Sequence, residues 1–250
     1  SGLSITNDAN AGDFQPDWLW IKPRSASDNH VVFDSSRGED RQLKTNGTDA
    51  EDTHSPARVT IESDGFDLDT TDGNYNGNGT TYVAWQWKAN GATKTSFSES
   101  GNNPAGTHQA NTTAGFSIVT SVGTGSAGTI AHGLSAAPEW ILTKGLDDGH
   151  AWITAHKSQT FSKSTLFNTT DAFASGSEYN NTNPTSSVFT VNNQGGVNKD
   201  SENYVHYLFH SVQGYSKFGS YTGNGSANGT FVYTGFKPAW IMAKRTDAAK

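Results

Sequence analysis

Three stretches of this chain repeat one another: Pro16-Asp17-Trp18-Leu19-Trp20-Ile21-Lys22, Pro138-Glu139-Trp140-Ile141-Leu142-Thr143-Lys144 and Pro238-Ala239-Trp240-Ile241-Met242-Ala243-Lys244. A second word, Tyr82-Val83-Ala84-Trp85-Gln86-Trp87, returns as Tyr204-Val205-His206-Tyr207-Leu208-Phe209, and each copy lies 66 residues after its proline. Equal spacing between landmarks requires equal intervening structure, so one fold is expected twice and the opening of a third copy after that. The step from Pro16 to Pro138 is 122 residues and that from Pro138 to Pro238 is 100. The surplus falls between Tyr82 and Pro138, where the chain is polar and nearly free of large apolar groups. The expected organisation is therefore a first β unit at 1–90, a polar linker or long loop at 91–113, a second β unit at 114–212 and the start of a third at 213–250. The amphipathic strand of that last piece has no partners of its own, which implies a longer protein or a strand that completes a neighbouring sheet.

Hydrophobic runs of four to eight residues, bounded by Gly, Asn, Asp or Pro, recur along the chain, and no segment sustains a 3.6-residue apolar period. Strands are expected around Trp18–Ile21, His30–Asp34, Arg58–Ile61, Gly65–Leu68, Phe116–Thr120, Trp140–Lys144, Ala151–His156, Ser187–Val191 and Phe231–Thr234. In Trp140–Lys144 both pleat faces carry bulk, as in an inner strand. Phe66 and Leu68 alternate as Phe189 and Val191 do, which fixes a shared register. Six Asn-Gly pairs supply turn chemistry, with Asn76-Gly77-Asn78-Gly79 the strongest hairpin signal. The fold class is all-β, as tandem antiparallel sandwich-like units of jelly-roll or lectin-like kind.

With 16% charged residues and 27 Gly, solubility rests on Asn, Ser, Thr and Gly. A net charge of -7, with Lys and Arg scattered, disfavours nucleic acid. No apolar run approaches a membrane span, and with no Cys there is neither a disulfide nor a thiolate site. The Gly-rich stretches at Gly123–Ala127 and Gly223–Ala227 lack the Lys and helix of a phosphate loop and are expected to be hairpin connections.

Candidate chemistry is sparse. The most charged stretch, Asp28, His30, Asp34, Arg37, Glu39, Asp40 and Arg41, reads as solvated loops and strand ends, although a hydrolase would need two converging carboxylates. The matching region Asp147-Asp148-Gly149-His150 to His156-Lys157 does not repeat it. His206 and His210 share a strand face but have no third zinc ligand nearby. Asp64, Asp67 and Asp69 offer carboxylates to Ca²⁺, yet fit a turn entering a strand equally well. Neither a Gly-x-Ser-x-Gly elbow nor a Cys nucleophile is present, so no catalytic, cofactor-binding or metal residue is assigned and the chain is read as non-enzymatic. The aromatic residues recur at repeat landmarks and are first of all core. Trp85 and Trp87 share a parity and are the candidate glycan-contact pair, in which ring faces would cover sugar C–H patches. Seven Asn-x-Ser/Thr sites, among them Asn111, Asn168 and Asn180, are acceptors for glycans where that machinery exists.

The ordered words His30-Val31-Val32-Phe33-Asp34-Ser35-Ser36-Arg37-Gly38, Asp64-Gly65-Phe66, Tyr82-Val83-Ala84-Trp85, and Gly219-Ser220-Tyr221-Thr222-Gly223-Asn224-Gly225 leading to Gly235-Phe236-Lys237-Pro238 resemble the repeated modules of marine bacteriophage tail-fibre and virion surface proteins. The resemblance covers essentially the whole chain. It implies an extracellular virion structural protein, trimeric or otherwise self-associated, that contacts other virion proteins and serves host attachment or particle architecture. A host surface glycan is a candidate partner; neither nucleic acid nor membrane is. The alternatives are a lectin-like carbohydrate-binding module and, more weakly, a glycan hydrolase. No catalytic residue is carried over.

Overall fold

The computed structural model describes residues 2–7 and 12–248. Their strands are, in order, β1 (Leu3–Thr6), β2 (Trp18–Pro23), β3 (Val31–Asp34), β4 (Gly38–Lys44), β5 (Asp52–Thr53), β6 (Val59–Glu62), β7 (Gly65–Leu68), β8 (Tyr82–Trp87), β9 (Thr95–Phe97), β10 (Ala105–Asn111), β11 (Phe116–Val122), β12 (Gly128–Ala131), β13 (Trp140–Gly145), β14 (Ile153–His156), β15 (Lys163–Leu166), β16 (Ala174–Ser175), β17 (Val188–Val191) and β18 (Asn203–Phe209). One short 3-10 turn, Lys157–Gln159, is the only helical element among the described residues. The strands form several antiparallel sheets, so the fold is all-β.

A five-stranded sheet runs β5-β4-β3-β2-β8. An eight-stranded sheet opens in the matching order β16-β15-β14-β13-β18 and continues with β11, β10 and β9. Trp18 pairs with Trp87 and Pro23 with Tyr82, as Trp140 pairs with Phe209 and Gly145 with Tyr204. The small sheets correspond as well: β1 lies on β7 and β12 on β17.

The dense apolar words follow from where these strands sit. Every residue of β13 is buried, and a strand covered on both faces has no reason to alternate. Trp140 and Leu142 join Trp18, Trp20, Trp152, Tyr207 and Phe209 in an aromatic cluster shared by the five- and eight-stranded sheets. Ile141, on the opposite pleat face, packs with Phe189 and Val191 of β17. Leu19, Ile21 and Phe33 of the five-stranded sheet meet Val59, Phe66 and Leu68 of β6 and β7. The alternation of Phe66 and Leu68 is thus set by one buried face.

Polar side chains at matching positions do matching work. The Tyr82 hydroxyl donates to the Gly73 carbonyl at 2.7 Å and accepts from the Gly77 N–H at 2.7 Å. The Tyr204 hydroxyl does the same with Gly195 and Lys199, at 2.7 and 2.9 Å. Lys22 and Lys144 each fold their ammonium onto the next residue's carbonyl, at 2.7 and 2.6 Å. The acid after the repeated proline anchors the chain leaving β8 or β18. Asp17, fully buried, accepts from the N–H groups of Ala89, Gly91 and Ala92 at 2.7 to 2.9 Å, and Glu139 accepts from the Ser211 N–H at 2.9 Å. Replacing Asp17 with Ala strands those donors. We expect a loss of about 1–3 kcal/mol in urea unfolding, together with faster amide exchange at Ala89, Gly91 and Ala92.

Four expectations differ from the structure. Residues 91–113 are not a linker or long loop: β9 and β10 lie there, side by side in the eight-stranded sheet. They are polar because β9 is the outer edge of that sheet and because Gln109 of β10 reaches the hydroxyls of Ser35 and Ser36 at 2.8 and 2.6 Å, across a polar seam. Asn76–Gly79 does not close a hairpin, since β7 and β8 belong to different sheets; the loop is held instead by the Tyr82 hydroxyl. Gly123–Ala127 likewise carries the chain from the eight-stranded to the two-stranded sheet. Finally, Phe231–Thr234 and the third Pro-x-Trp word form no strand. Where a tight hairpin does occur, between β6 and β7, Gly65 has φ +127°, and a Cβ there would lie 2.0 Å from the Ile5 carbonyl oxygen of β1.

Candidate functional site

At one end of β13 and β18 the loops 146–150 and 195–202 bring charged groups together. Glu202 is 4% exposed. One of its carboxylate oxygens, Oε2, lies 3.2 Å from the Tyr204 hydroxyl, which shares its one proton between this oxygen and the nearer Gly195 carbonyl, and stands 3.5 Å from the Lys199 ammonium. The other, Oε1, faces His150 Nε2 at 3.4 Å, and neither of these two buried atoms makes a hydrogen bond. Asp148 completes the group, with one ligand atom from each of Asp148, His150 and Glu202 lying within 4.8 Å of the others. Its carboxylate is paired with Lys199 at 2.6 Å, and that hydrogen bond holds it below the usual carboxylate range.

Glycine lets these side chains lie directly against the backbone. A Cβ on Gly145 would sit 3.0 Å from Glu202 Oε1 and 3.2 Å from His150 Cδ2, and one on Gly195 would sit 3.0 Å from His150 Cε1. Beneath, the Lys144 ammonium turns to the carbonyls of Gly145 and Asp148. Burial pushes its pKa down to about 8 against the opposing pull of Glu202. The 122-residue offset between the copies puts Asp28, Thr80 and Gly77 where His150, Glu202 and Lys199 stand, so the five-stranded sheet has no such group.

A second polar centre joins the two large sheets. Asp34 and Arg37, expected in solvated loops, are buried, with side chains 0% and 2% exposed and 2.5 Å apart. Arg37 also reaches Glu51 at 2.7 Å, and the Tyr207 hydroxyl of β18 donates to Asp34 at 2.6 Å. The Asp34 carboxylate, with Tyr207 and Glu51, raises the Arg37 pKa although desolvation, the largest single influence, opposes it. Arg37, Arg41 and Glu51 line a cleft of about 340 Å³ with Asp147, Asn203 and Tyr204.

A family model matches residues 1–250, the whole chain. The chain belongs to DUF7483, a domain of unknown function. Nothing matches it among curated proteins or solved structures.

In this DUF7483 domain Trp85 and Trp87 do share one face of β8, but that face is turned to the core. Trp85 packs on Trp20 with ring centroids 5.1 Å apart, and Trp87 on Trp18 at 4.6 Å and Trp240 at 5.6 Å. Both are half-buried, and none of the seven Trp is more than partly exposed. His206 is unsuited to zinc: it is fully buried, its ring nitrogens are taken by the hydroxyls of Ser121 and Thr143 at 3.0 and 2.9 Å, and burial lowers its pKa to about 3. His210 bonds the Ser211 carbonyl. The carboxylates of Asp64, Asp67 and Asp69 do not cluster; among the described residues the side-chain ligand atoms that come together are those of Asp148, His150 and Glu202. His150 and Asp148 were visible in the sequence as part of a charged stretch. Glu202 was not, and its only signal is that an acid replaces Thr80 at an otherwise matched position.

Proposed function

We propose that this chain is a non-enzymatic structural module of a virion surface, tail-fibre or fibre-like assembly, made of two tandem sandwich-like β units and held in place by self-association. The matching strand orders of the five- and eight-stranded sheets support the tandem arrangement. The segment 213–248 carries the proposal of self-association. Trp240-Ile241 mirrors Trp140-Ile141 of β13, and Phe231-Val232-Tyr233 falls within the stretch that matches β12. Ile130 and Ile141 are fully buried, whereas Phe231 is 86% and Ile241 78% exposed. Strand words with large apolar side chains outside any sheet are pairing surfaces. Phe218 and Trp240 of this segment already lie against the shared aromatic cluster, which keeps it close to the rest of the chain.

Light scattering and sedimentation at micromolar concentration test the proposal. We expect a defined oligomer, weakened at least about tenfold in dissociation constant by Phe231→Asp combined with Ile241→Asp. A monodisperse monomer for the unaltered chain would overturn it. The glycan-binding reading is less favoured, because Trp85 and Trp87 pack on other tryptophans, 5.1 and 4.6 Å between ring centroids, against the shared aromatic cluster.

A further inference from the structure

We propose that Asp148, His150 and Glu202 form a binding site for a first-row divalent metal ion of the Zn²⁺ class. Three observations carry it independently of the assembly proposed above. First, Glu202 is almost wholly buried, yet Oε1 has no hydrogen-bond donor, and His150 Nε2, facing it, has no hydrogen-bond partner either. A buried carboxylate oxygen without a donor is costly, and a cation placed between the two atoms removes that cost. Second, the spacing of the His150–Glu202 pair fits, and the Asp148 ligand atom lies within 4.8 Å of both, near enough to close onto an ion once Lys199 releases it. Two ligand atoms each about 2.1 Å from a tetrahedral Zn²⁺ stand about 3.4 Å apart, and His150 Nε2 and Glu202 Oε1 are separated by 3.4 Å. Third, Gly145 and Gly195 let Glu202 and His150 lie directly against backbone and so approach each other, since a Cβ at either position would stand 3.0 Å from Glu202 Oε1 or His150 Cε1.

The ligand types narrow the metal. One imidazole nitrogen with two carboxylates suits Zn²⁺ and its first-row neighbours better than Ca²⁺ or Mg²⁺, which prefer all-oxygen shells. Three protein ligands leave a position for water or for a group from another molecule. The other oxygen of Glu202 lies 3.2 Å from the Tyr204 hydroxyl and 3.5 Å from the Lys199 ammonium. Lys199 is the resident competitor. Its ammonium sits 2.6 Å from Asp148 and 3.5 Å from Glu202, but the side chain is half exposed and free to swing into solvent when an ion enters. Lys144, turned onto carbonyls below, stays in place.

The test is titration of the full chain with Zn²⁺ in a non-chelating buffer near neutral pH, with Co²⁺ as a spectroscopic substitute. We expect saturable uptake of one ion per chain, visible d–d bands from low-coordinate Co²⁺, and a rise in Tm with Zn²⁺. Glu202→Gln and His150→Gln should each weaken binding at least about tenfold. Because Glu202 is buried and its replacement also tests the fold, Lys199→Met provides the second arm at an exposed position. Removing that competing charge should tighten binding several-fold, an effect that a purely structural role for the cluster does not produce. Absence of saturable uptake by the unaltered chain, or equal affinity for it, Glu202→Gln and Lys199→Met, would overturn the proposal.

Discussion

Arg37→Ala should lower the unfolding free energy by about 3–5 kcal/mol, since it leaves Asp34 and part of Glu51 buried without their cation. Asp34 is fully buried and Arg37 nearly so, 2.5 Å apart, so the lost partner cannot be replaced by bulk water. Arg41 is the internal control. It bonds the same Glu51 at 2.9 Å but is 42% exposed, and Arg41→Ala should cost less than about 1 kcal/mol. Tyr207→Phe removes the other donor to Asp34 Oδ2, a bond that crosses from β18 to the end of β3. Its cost should fall between the two, at about 1–3 kcal/mol. The Arg37→Ala and Tyr207→Phe double variant should depart from additivity, because both donors act on one carboxylate oxygen. Urea denaturation with two probes checks all four. Equal losses for Arg37→Ala and Arg41→Ala would remove this centre as the polar link between the large sheets.

The apolar strands were legible because burial dictates their composition. β2, β3, β13 and β18 are buried at most positions, and such runs are dense in Trp, Ile, Val and Phe whatever else changes. β4, β9 and β10 were not. β4 reads Gly-Glu-Asp-Arg-Gln-Leu-Lys and is a strand only because β3 and β5 flank it; its charges face Glu51 and neighbouring loops. β9 is an edge strand, and β4 and β10 are each followed only by an edge strand of two or three residues, so the demand for apolar residues is relaxed and composition there reports solvent or a polar seam and not the backbone. The opposite failure occurred at Phe231–Thr234. Its composition is that of a strand, but strand formation is a property of pairs, and no described segment pairs with it.

The charged centres show a similar limit. Asp34 and Arg37 lie three residues apart in a polar stretch, and that spacing describes a solvated turn as well as a buried ion pair. What separates the two is Tyr207, 173 residues away in sequence. Glu202 presents the same difficulty with respect to His150. Local pattern carries the sheet framework, and contacts between distant loops assemble the polar sites.

Those buried contacts also set how the fold responds to acid. His206 is enclosed by hydroxyls and aromatic rings, with Phe189 at 5.0 Å and Tyr204 at 6.2 Å between ring centroids, and burial depresses its pKa from 6.5 to about 3. His132 is depressed to about 4, chiefly by burial, with a weaker contribution from His108 and His210 and an opposing one from the Thr185 carbonyl. Its Nδ1 accepts the Leu134 N–H at 3.1 Å, so a proton on that nitrogen would face a donor. Between these values and 6.5 the unfolded chain binds protons that the folded chain does not. Stability therefore rises with pH across that window, is complete above about 6.5, and is lost as pH falls toward 4 and 3. Each histidine should contribute a slope of about 1.4 kcal/mol per pH unit, and His206 alone a total of order 5 kcal/mol. Urea midpoints measured from pH 7.5 down to 4.5 should drop steeply. In His206→Gln the overall stability shifts, but the decisive quantity is the slope, which should flatten by about one proton's worth. An unchanged slope in that variant would mean that His206 is protonated in the folded chain, and the buried neutral imidazole bridging Ser121 and Thr143 would have to be abandoned.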